Sequence, residues 1–228
     1  MMDTAIILAG GLGTRLRSVV SDRPKVLATV NGRPFLAYLL QRCVTLGLQR
    51  VVLATGYMAE AIETAFGNRF ESLELVYSVE SEPLGTGGAL RQAAAHVQTP
   101  TVLAMNGDSY CTADLAAFAA WYQQGAALML VQSDDAARYG SVQIDSTNRV
   151  KQFSEKVMAR GWINSGVYIL PTALLSGIPA DQPVSLEREV FPQWVEKGDV
   201  YGYQSNGQLL DIGTPDAYAQ ASMFLASV

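Results

Sequence analysis

The sequence predicts an α/β fold, Rossmann-like, with a mostly parallel central sheet flanked by helices. Short apolar runs alternate with stretches whose apolar residues recur at intervals of three and four, which is the pattern of strands and amphipathic helices. The 228 residues are 49 % hydrophobic and 16 % charged, enough for one large core. Ligands of such sheets bind beyond the carboxyl ends of the strands.

The first half of the chain alternates predicted strands with predicted helices, which favours a parallel sheet with helices on both faces. The predicted strands span 4–10, 50–56, 73–78 and 101–108. The predicted helices span 34–47, 58–67, 88–96 and 113–125. Gly47 and Gly67 stand where helix C-termini need a glycine.

The second half is less regular. Its predicted strands span 141–145, 149–153, 163–170 and 208–213. A predicted helix over 185–198 contains Pro192, which should bend or divide it. The last predicted helix has Thr214 as its N-cap and Pro215 at its first position. The chain stops just after it and shows no linker or repeat, so we expect a single domain over 1–228.

Composition excludes several classes of function. A net charge of -5 and a pI near 4.9 argue against nucleic acid as a partner. The first residues lack a basic signal-peptide region, and no apolar run approaches the roughly 18 residues of a membrane helix. Cys43 and Cys111 form no CxxC pair, which is consistent with a reducing cytoplasm. The single histidine, His96, excludes His-rich zinc sites and argues against a Ser-His-Asp triad.

A glycine loop and a basic cluster lie close to the N-terminus. "AGGLGTRLR" spans residues 9–17, and four of the 16 basic residues fall within eleven positions: Arg15, Arg17, Arg23 and Lys25. Glycines let backbone amides approach an anion closely. We expect the anion to be held also by the Thr14 hydroxyl and by the positive end of a following helix. Arg15 would add a forked contact and Lys25 a point charge. This pattern indicates a polyphosphate. The alternatives are a solvated helix face or a glycine turn beside unrelated surface arginines.

Two known glycine motifs do not fit this loop. The dinucleotide fingerprint G-x-G-x-x-G fails because Leu16 occupies its third glycine position, and the Walker pattern fails as well. A Rossmann dehydrogenase is therefore a poor alternative.

Two aspartates end apolar strands. Asp108 follows "TVLAMNG" and Asp211 follows "QLL". Carboxylates at the ends of separate strands can converge on Mg2+, which takes a few carboxylates together with phosphate oxygens and water. The alternative for Asp108 is a turn residue, since Asn-Gly-Asp is good turn chemistry.

The segment "LAGGLGTRL…RPK" resembles the signature of the sugar-1-phosphate nucleotidyltransferases. The resemblance continues in order through "EPLGTGGAL" (82–90), "NGDSY" (106–110), "EK" (155–156), "NSGVY" (164–168) and "DIGTP" (211–215), and so covers almost the whole chain. It implies a GT-A-like fold with a nucleotide-binding half over about 1–135 and a sugar-phosphate-binding half, with a smaller β region, over about 136–228. Within the family the chain looks most like the D-glycero-α-D-manno-heptose 1-phosphate guanylyltransferases.

The resemblance also implies roles for individual residues. The catalytic residues would be Arg15, Lys25, Asp108, Lys156 and Asp211, with Asp108 and Asp211 holding Mg2+. The NTP would be bound by Leu8, Ala9, Gly10, Gly11, Gly13, Thr14, Arg15, Lys25, Glu80, Gly85 and Thr86. The sugar phosphate would be bound by Gly140, Glu155, Lys156, Asn164 and Gly166. The chain has Val157 where the family usually has proline after the lysine.

Glu80 bears on the choice of base. Guanine offers N1–H and N2–H2 side by side, and a carboxylate can accept from both. Uracil offers one N–H between two carbonyls and fits a glutamate less well. The alternative is that Glu80 and Glu82 are solvated acids before Pro83.

We therefore expect a cytoplasmic enzyme that joins an NTP, GTP by preference, to a sugar 1-phosphate and releases pyrophosphate. Its nucleotide sugar would serve capsule or lipopolysaccharide biosynthesis. Mannose 1-phosphate guanylylation and N-acetylmuramate 1-phosphate uridylylation stay open, as does a silent homologue that only binds nucleotide sugar. Self-association is also left open.

Overall fold

The computed structural model describes residues 2–134, 136, 141–154 and 160–226. Its strands are β1 (Thr4–Leu8), β2 (Thr29–Val30), β3 (Arg33–Pro34), β4 (Arg50–Thr55), β5 (Arg69–Phe70), β6 (Leu73–Val79), β7 (Thr101–Asn106), β8 (Ser109–Cys111), β9 (Ala126–Ser133), β10 (Ser141–Ile144), β11 (Val150–Ser154), β12 (Gly161–Pro171), β13 (Val200–Ser205) and β14 (Leu209–Asp211). Its helices are α1 (Phe35–Thr45), α2 (Ala59–Phe66), α3 (Gly85–Ala93), α4 (Leu115–Trp121), α5 (Thr172–Ser176), α6 (Phe191–Glu196) and α7 (Pro215–Leu225).

One central sheet of mixed direction carries the fold. Its order is β11-β10-β12-β7-β1-β4-β6-β5, and β9 pairs with β12 and β13 beside this path. The four strands β7, β1, β4 and β6 run parallel, as the first half of the sequence predicts. The parallel strands read as apolar runs because helices cover both of their faces.

The two faces of the sheet each bury a separate apolar cluster. Successive residues of β1 alternate between them: Ala5 and Ile7 pack with α1, whereas Ile6 packs with Leu90 of α3. This is the period-two alternation of a strand placed between two helix layers. The predicted arrangement of helices on both faces is confirmed.

Strand β12 joins the parallel part of the sheet to the rest. It pairs antiparallel with β7 over Val167–Pro171 and with β9 on its other side, with a register shift between Asn164 and Tyr168. Strand β9 in turn pairs parallel with β13. The sheet thus continues from the first half of the chain into the second.

The structure also differs from the sequence prediction in places. Sequence analysis assigns no element to residues 126–133 and 200–205, which form β9 and β13. The helix predicted over 185–198 is divided, as expected, into a π-helical turn at Leu186–Val190 and α6, which has Pro192 in its first turn. The last predicted strand, β14, pairs with β8 in a small sheet of its own.

The prediction of a helix directly after the glycine loop is wrong. Residues 14–19 form turns, with Leu16 N–H donating to the Gly13 carbonyl and Val20 N–H donating to the Leu16 carbonyl. The loop therefore offers no helix N-terminus to an anion. Among the helices of the described residues, none is long and apolar enough to cross a membrane.

Candidate active site

A cavity of about 500 Å³ lies at the carboxyl ends of the four parallel strands. Each strand contributes a residue at or just beyond its end: Leu8 from β1, Gly56 after β4, Glu80 after β6 and Asn106 from β7. The remaining lining residues come from the glycine loop, the segment before α3 and the strand ends: Ala9, Gly10, Gly11, Leu12, Lys25, Val26, Tyr57, Ser81, Glu82, Pro83, Gly85, Thr86, Ala89 and Asp108. This is the place that the α/β topology reserves for ligands.

Glu80 is half-buried at one end of the cavity. Its backbone N–H donates to the Thr55 carbonyl over 2.8 Å, and its carboxylate accepts from the Leu84 N–H over 2.9 Å. Burial raises the pKa of Glu80, and the hydrogen bond from Leu84 opposes part of that rise. One carboxylate oxygen is thus engaged by the protein, and the group is held where a ligand can meet it.

Gly10 lets the first loop approach Glu80. A Cβ added at Gly10 would lie 3.0 Å from Glu80 Oε1 and 3.2 Å from the backbone N of Gly56. A side chain at position 10 would therefore crowd the acid and the Gly56 backbone, and one of the neighbours would have to shift. The predicted nucleotide residues Leu8, Ala9, Gly10 and Gly11 all line this part of the cavity.

The segment before α3 is fixed by the chain around Val184. Gly85 has φ +68°, and an added Cβ would lie 2.6 Å from the Val184 carbonyl oxygen. The same carbonyl accepts from the N–H of Gly87 over 2.8 Å, and the Val184 N–H donates to the Leu84 carbonyl over 2.8 Å. The Gly87 amide in the first turn of α3 is therefore satisfied inside the protein.

The Thr86 hydroxyl also has protein partners. It donates to Glu187 Oε2 over 2.8 Å and accepts from the Leu186 N–H over 2.8 Å. Its one proton is used, so Thr86 shapes the cavity wall and can offer a ligand no hydroxyl donor. Both Gly85 and Thr86 line the cavity, as predicted.

The four residues of the basic cluster separate in the fold. The Arg23 guanidinium pairs with Asp22 at 2.6 Å, and the Arg17 guanidinium stacks 5.0 Å from the ring centroid of Tyr57. Lys25 lines the cavity and its ammonium group donates to Asp108 Oδ2. Lys25 is thus the member of the cluster that lines the cavity.

Arg15 lies outside the lining of the cavity. A Cβ added at Gly213 would lie 3.3 Å from Arg15 Nη2 and 2.8 Å from Asp211 Oδ1, so the guanidinium sits against the loop that carries Asp211. Gly13 and Thr14, also predicted to bind the nucleotide, belong to the same turn outside the lining. Gly13 has φ +58°, which turns the loop back against Lys25.

The two predicted metal ligands are brought together by the small sheet. Asp211 of β14 faces Ser109 of β8 in register, and the Ile212 N–H donates to the Asp108 carbonyl over 2.9 Å. The Asp211 carboxylate accepts from the Gly213 N–H over 2.7 Å, and Asp108 accepts from the Ser109 hydroxyl over 3.2 Å. Sequence analysis placed these acids at the ends of separate strands: Asp211 does end β14, whereas Asp108 lies in the turn between β7 and β8, two residues beyond β7.

The two predicted metal ligands are carboxylates, the oxygen donors that Mg2+ prefers. Within the described residues no group of three or more His, Cys, Asp or Glu could hold a metal ion, so no protein cage of the Zn2+ or Ca2+ kind is formed there. A pair of carboxylates that leaves room for phosphate oxygens and water is what Mg2+ sites use.

Two of the residues predicted to bind the sugar phosphate, Asn164 and Gly166, lie at the irregularity of β12. The Asn164 side chain donates to the Tyr168 hydroxyl over 2.9 Å and accepts from the Gly166 N–H over 3.0 Å. Gly166 has φ +76° and packs directly against Asn106, which lines the cavity. The other predicted sugar residues, Gly140, Glu155 and Lys156, lie outside the described residues.

Sequence analysis did not identify three residues that matter to this site. Asn106 stands two positions before Asp108, and this closeness to a predicted site residue could have indicated that Asn106 also lies at the site. Tyr57 lines the cavity, and its ring packs against the Arg17 guanidinium. Glu187, about a hundred residues further along the chain, accepts the hydrogen bond of the Thr86 hydroxyl. No local pattern could have pointed to Glu187, because the contact forms only in the folded chain.

Comparison with known proteins decides the family. The family model described as nucleotidyl transferase matches residues 4–228. The chain belongs to the nucleotidyl transferase family. This nucleotidyl transferase is 39 % identical over 221 residues to a D-glycero-α-D-manno-heptose 1-phosphate guanylyltransferase of Aneurinibacillus thermoaerophilus, covering 95 % of this chain and 96 % of the relative.

Two further comparisons extend this result. The crystal structure of HddC from Yersinia pseudotuberculosis complexed with GMP-PN superposes with a TM-score of 0.87 at 34 % identity, covering 98 % of this nucleotidyl transferase and 100 % of that chain. A mannose-1-phosphate guanylyltransferase of Mycobacterium tuberculosis is 36 % identical over 96 % of this chain, which spans 63 % of that relative's length. The predicted family and the GT-A-like fold class are confirmed.

Proposed function

We propose that this nucleotidyl transferase transfers GMP from GTP to D-glycero-α-D-manno-heptose 1-phosphate, forming GDP-heptose and pyrophosphate. The observation that carries the proposal is a single cavity with the Glu80 carboxylate at one end and the Lys25–Asp108 pair at the other. One end suits a guanine edge and the other suits phosphates. Two of the relatives described above, which carry the guanylyltransferase names, support it.

The guanine end depends on how Glu80 is held. The Leu84 amide orients the carboxylate, and the absence of a side chain at Gly10 lets the first loop pack close to it. An ionised carboxylate accepts two charge-assisted hydrogen bonds from guanine N1–H and N2–H2. Adenine, cytosine and uracil each lack this pair of adjacent donors.

At the phosphate end of the cavity, the protein would neutralise the negative charge of the substrate phosphates. A sugar 1-phosphate has a second pKa of about 6, so it arrives ionised and needs no strong general base. The chemistry then depends on positioning its oxygen in line with the α-phosphorus and on stabilising the negative charge that gathers there. Lys25 lines the cavity and would do this, and Arg15, which lies beside the loop that carries Asp211, stays a prediction as a phosphate ligand.

Asp108 and Asp211 would hold Mg2+. The bound ion would neutralise phosphate charge that the few cations of this cleft leave uncompensated. Lys156 stays a prediction as the ligand of the sugar-linked phosphate. We further propose that the enzyme is cytoplasmic and that its product serves capsule or lipopolysaccharide biosynthesis.

The test is pyrophosphate release over a grid of substrates. GTP, UTP, ATP and CTP are each combined with the heptose 1-phosphate, mannose 1-phosphate and N-acetylmuramate 1-phosphate. We expect the highest kcat/KM for GTP with the heptose 1-phosphate. A maximum with mannose 1-phosphate would change the acceptor, a maximum with UTP would overturn the guanine proposal, and no release from any pair would indicate a silent nucleotide-sugar-binding protein.

A further inference from the structure

A shallow depression opens beside the cavity at its phosphate end. It shares Leu12, Lys25 and Tyr57 with the lining of the cavity, so the two are continuous. The turn after the glycine loop and the segment before Lys25 supply the rest of its lining, including Arg17 and Arg23. With a volume of about 10 Å³ it has room for little more than one water molecule, so only a ligand that extends from the cavity would reach it.

The depression is basic, and one of its charges has no counterion. Arg17, Arg23 and Lys25 all line it, and none of the described residues of its lining is acidic. The Arg23 guanidinium pairs with Asp22 at 2.6 Å, and the Lys25 ammonium group donates to Asp108. The Arg17 side chain is exposed and pairs with no carboxylate of the residues that the structure describes. Its charge is therefore available to a ligand.

Tyr57 holds Arg17 without a carboxylate. The guanidinium carbon lies over the half-buried Tyr57 ring, 5.0 Å from its centroid. A carboxylate partner would take up N–H groups and cancel the charge, whereas an aromatic ring attracts the cation and leaves N–H groups to donate. A guanidinium restrained in this way can form a forked contact with phosphate oxygens at little further cost in side-chain entropy.

The strand order indicates which phosphates would meet Arg17. The predicted sugar residues Asn164 and Gly166 lie on β12, which is next to β7, and Asp108 follows β7. Strands β1 and β4 lie on the other side of β7, with the glycine loop after β1 and Tyr57 after β4. In an in-line displacement the attacking and leaving oxygens lie on opposite sides of the α-phosphorus. If the sugar phosphate attacks from the side of β12, pyrophosphate leaves toward β1 and β4, where Arg17 lies.

We infer that Arg17 binds the pyrophosphate group of the NTP, with its guanidinium donating to β- and γ-phosphate oxygens, and that Tyr57 positions it there. The inference rests on the proposed function, because it takes pyrophosphate to be the leaving group. As the sugar-phosphate oxygen bonds to the α-phosphorus, the bond from that phosphorus to the oxygen bridging to the β-phosphate breaks, and its electron pair stays with pyrophosphate. Arg17 would neutralise part of that charge.

The first test compares Arg17→Ala with the matched control Arg33→Ala. Arg33 is also exposed and lies 5.1 Å from the ring centroid of Tyr38, but it lines neither the cavity nor the depression. Binding of GTP and of GMP is measured by titration calorimetry with Mg2+ and without a sugar phosphate. For Arg17→Ala we expect Kd for GTP to rise about tenfold and Kd for GMP to change less than about twofold. Arg33→Ala should bind both as the wild type does.

Two outcomes of this test would overturn the inference. Unchanged GTP binding by Arg17→Ala would show that the guanidinium does not meet the nucleotide. Equal weakening of GTP and GMP would assign Arg17 to the part of the nucleotide that the two share. Circular dichroism and thermal unfolding establish that the variants are folded.

The second test concerns the positioning role of Tyr57. Tyr57→Phe keeps the ring under Arg17 and should keep Kd for GTP within about twofold of the wild type. Tyr57→Leu removes the ring, and Kd for GTP should rise about threefold to tenfold. In the background of Arg17→Ala the same change should have no further effect, because there is no guanidinium left to position. An equal effect of Tyr57→Leu in both backgrounds would overturn the positioning role.

These tests separate the inference from the proposed function. GTP binding that depends on Arg17 while GMP binding does not would support the inference even if no sugar phosphate is turned over. Guanylyl transfer by Arg17→Ala with an unchanged KM for GTP would overturn the inference and leave the proposed function intact. A wild type that binds no NTP would overturn both.

Discussion

Single residues decide what the cavity can distinguish. Glu80 and Lys25 lie at its two ends, and neither side chain is fully exposed. A charge in partial burial interacts more strongly with a ligand than the same charge in water, because the surrounding medium screens it less. Predictions at this scale therefore concern substrate selection and turnover.

The first prediction concerns the donor base. Glu80→Gln keeps the size of the side chain but replaces one acceptor oxygen with an amide donor. A charge-assisted hydrogen bond contributes about 1.5–3 kcal/mol, so we expect kcat/KM for GTP to fall roughly tenfold to a hundredfold, with a much smaller change for UTP. The measurement is kcat/KM for the four NTPs with one sugar 1-phosphate. Glu82→Gln, at an exposed position of the same rim, should behave as the wild type.

The second prediction is a pH dependence from the same residue. Burial raises the pKa of Glu80, so its carboxylate takes up a proton at a higher pH than an exposed glutamate does. The ionised form accepts from guanine, so KM for GTP should increase as pH falls through this raised pKa. Glu80→Gln does not titrate here, and its KM for GTP should stay flat over the same range. A parallel rise in both proteins would show that another group is responsible.

The third prediction concerns the paired aspartates. Asp108→Asn and Asp211→Asn should each lower kcat by about a hundredfold or more. Each variant removes a carboxylate that would hold Mg2+, and the ion would no longer stabilise the negative charge of the reacting phosphates. Asp114→Asn is the control: Asp114 caps α4 by accepting from Ala116 and Ala117, and asparagine caps equally well. Steady-state rates are measured across a Mg2+ titration, with folding checked by circular dichroism. Near-normal rates in both site variants would refute the metal assignment.

Whole elements show how far the sequence could predict the site. Strands β1, β4 and β7 were predictable because a strand buried on both faces reads as an apolar run with a helix after it, and β6 was predictable from its alternating burial. Their ends locate the cavity, so Leu8, Glu80 and Asp108 could be placed by topology alone. The resemblance then supplied their roles.

Other elements could not be predicted, for physical reasons. Strand β9, "AALMLVQS", is rich in residues that favour helix, and pairing with β12 and β13 overrides that preference. Strand β13, "VYGYQS", carries a glycine at Gly202, where an added Cβ would lie 2.6 Å from Leu130. Such a sequence forms a strand only because neighbouring side chains fill the space above the glycine.

The fourth prediction tests how the first turn of α3 is held. Gly85→Ala must adopt φ +68° and also meet the Val184 carbonyl oxygen, so it should lower the free energy of unfolding by about 3 kcal/mol and raise KM for GTP. Gly47 has φ +79° in open space, and Gly47→Ala should cost only about 1 kcal/mol and leave kinetics unchanged. Urea unfolding and GTP kinetics are compared for both. Equal costs would mean that backbone strain, and not the contact with Val184, governs Gly85.

At the scale of the whole molecule, the sheet crosses the boundary between the two sequence halves. Strand β12 lies between β7 and β9, which precede it in the chain, and β9 is buried along most of its length. Neither the first half of the chain (about 1–135) nor the second half (about 136–228) contains all the strands of the central sheet. The nucleotide side and the sugar side should therefore be coupled in stability.

The fifth prediction follows from this shared sheet. Thermal unfolding of the full chain should be a single transition with equal calorimetric and van't Hoff enthalpies. A fragment of residues 1–135 should not fold, because β7 and β9 would expose the edge and the apolar surface that β12 covers. Near-ultraviolet circular dichroism and hydrogen exchange of the fragment check this. A fragment that folds cooperatively would show that the halves are separate domains.

The packing of Val184 against the glycines of α3 also has an evolutionary consequence. The Val184 carbonyl engages the Gly87 amide and the first loop runs into turns, so among the described residues that line the cavity the positive charge comes from the Lys25 side chain. Attraction depends on side-chain charge, and side chains, unlike main-chain amides, can be altered by a single codon. Descendants that keep the architecture but lose the reaction are therefore one mutation away, and lineages in which duplicated copies become regulators should arise readily from this scaffold.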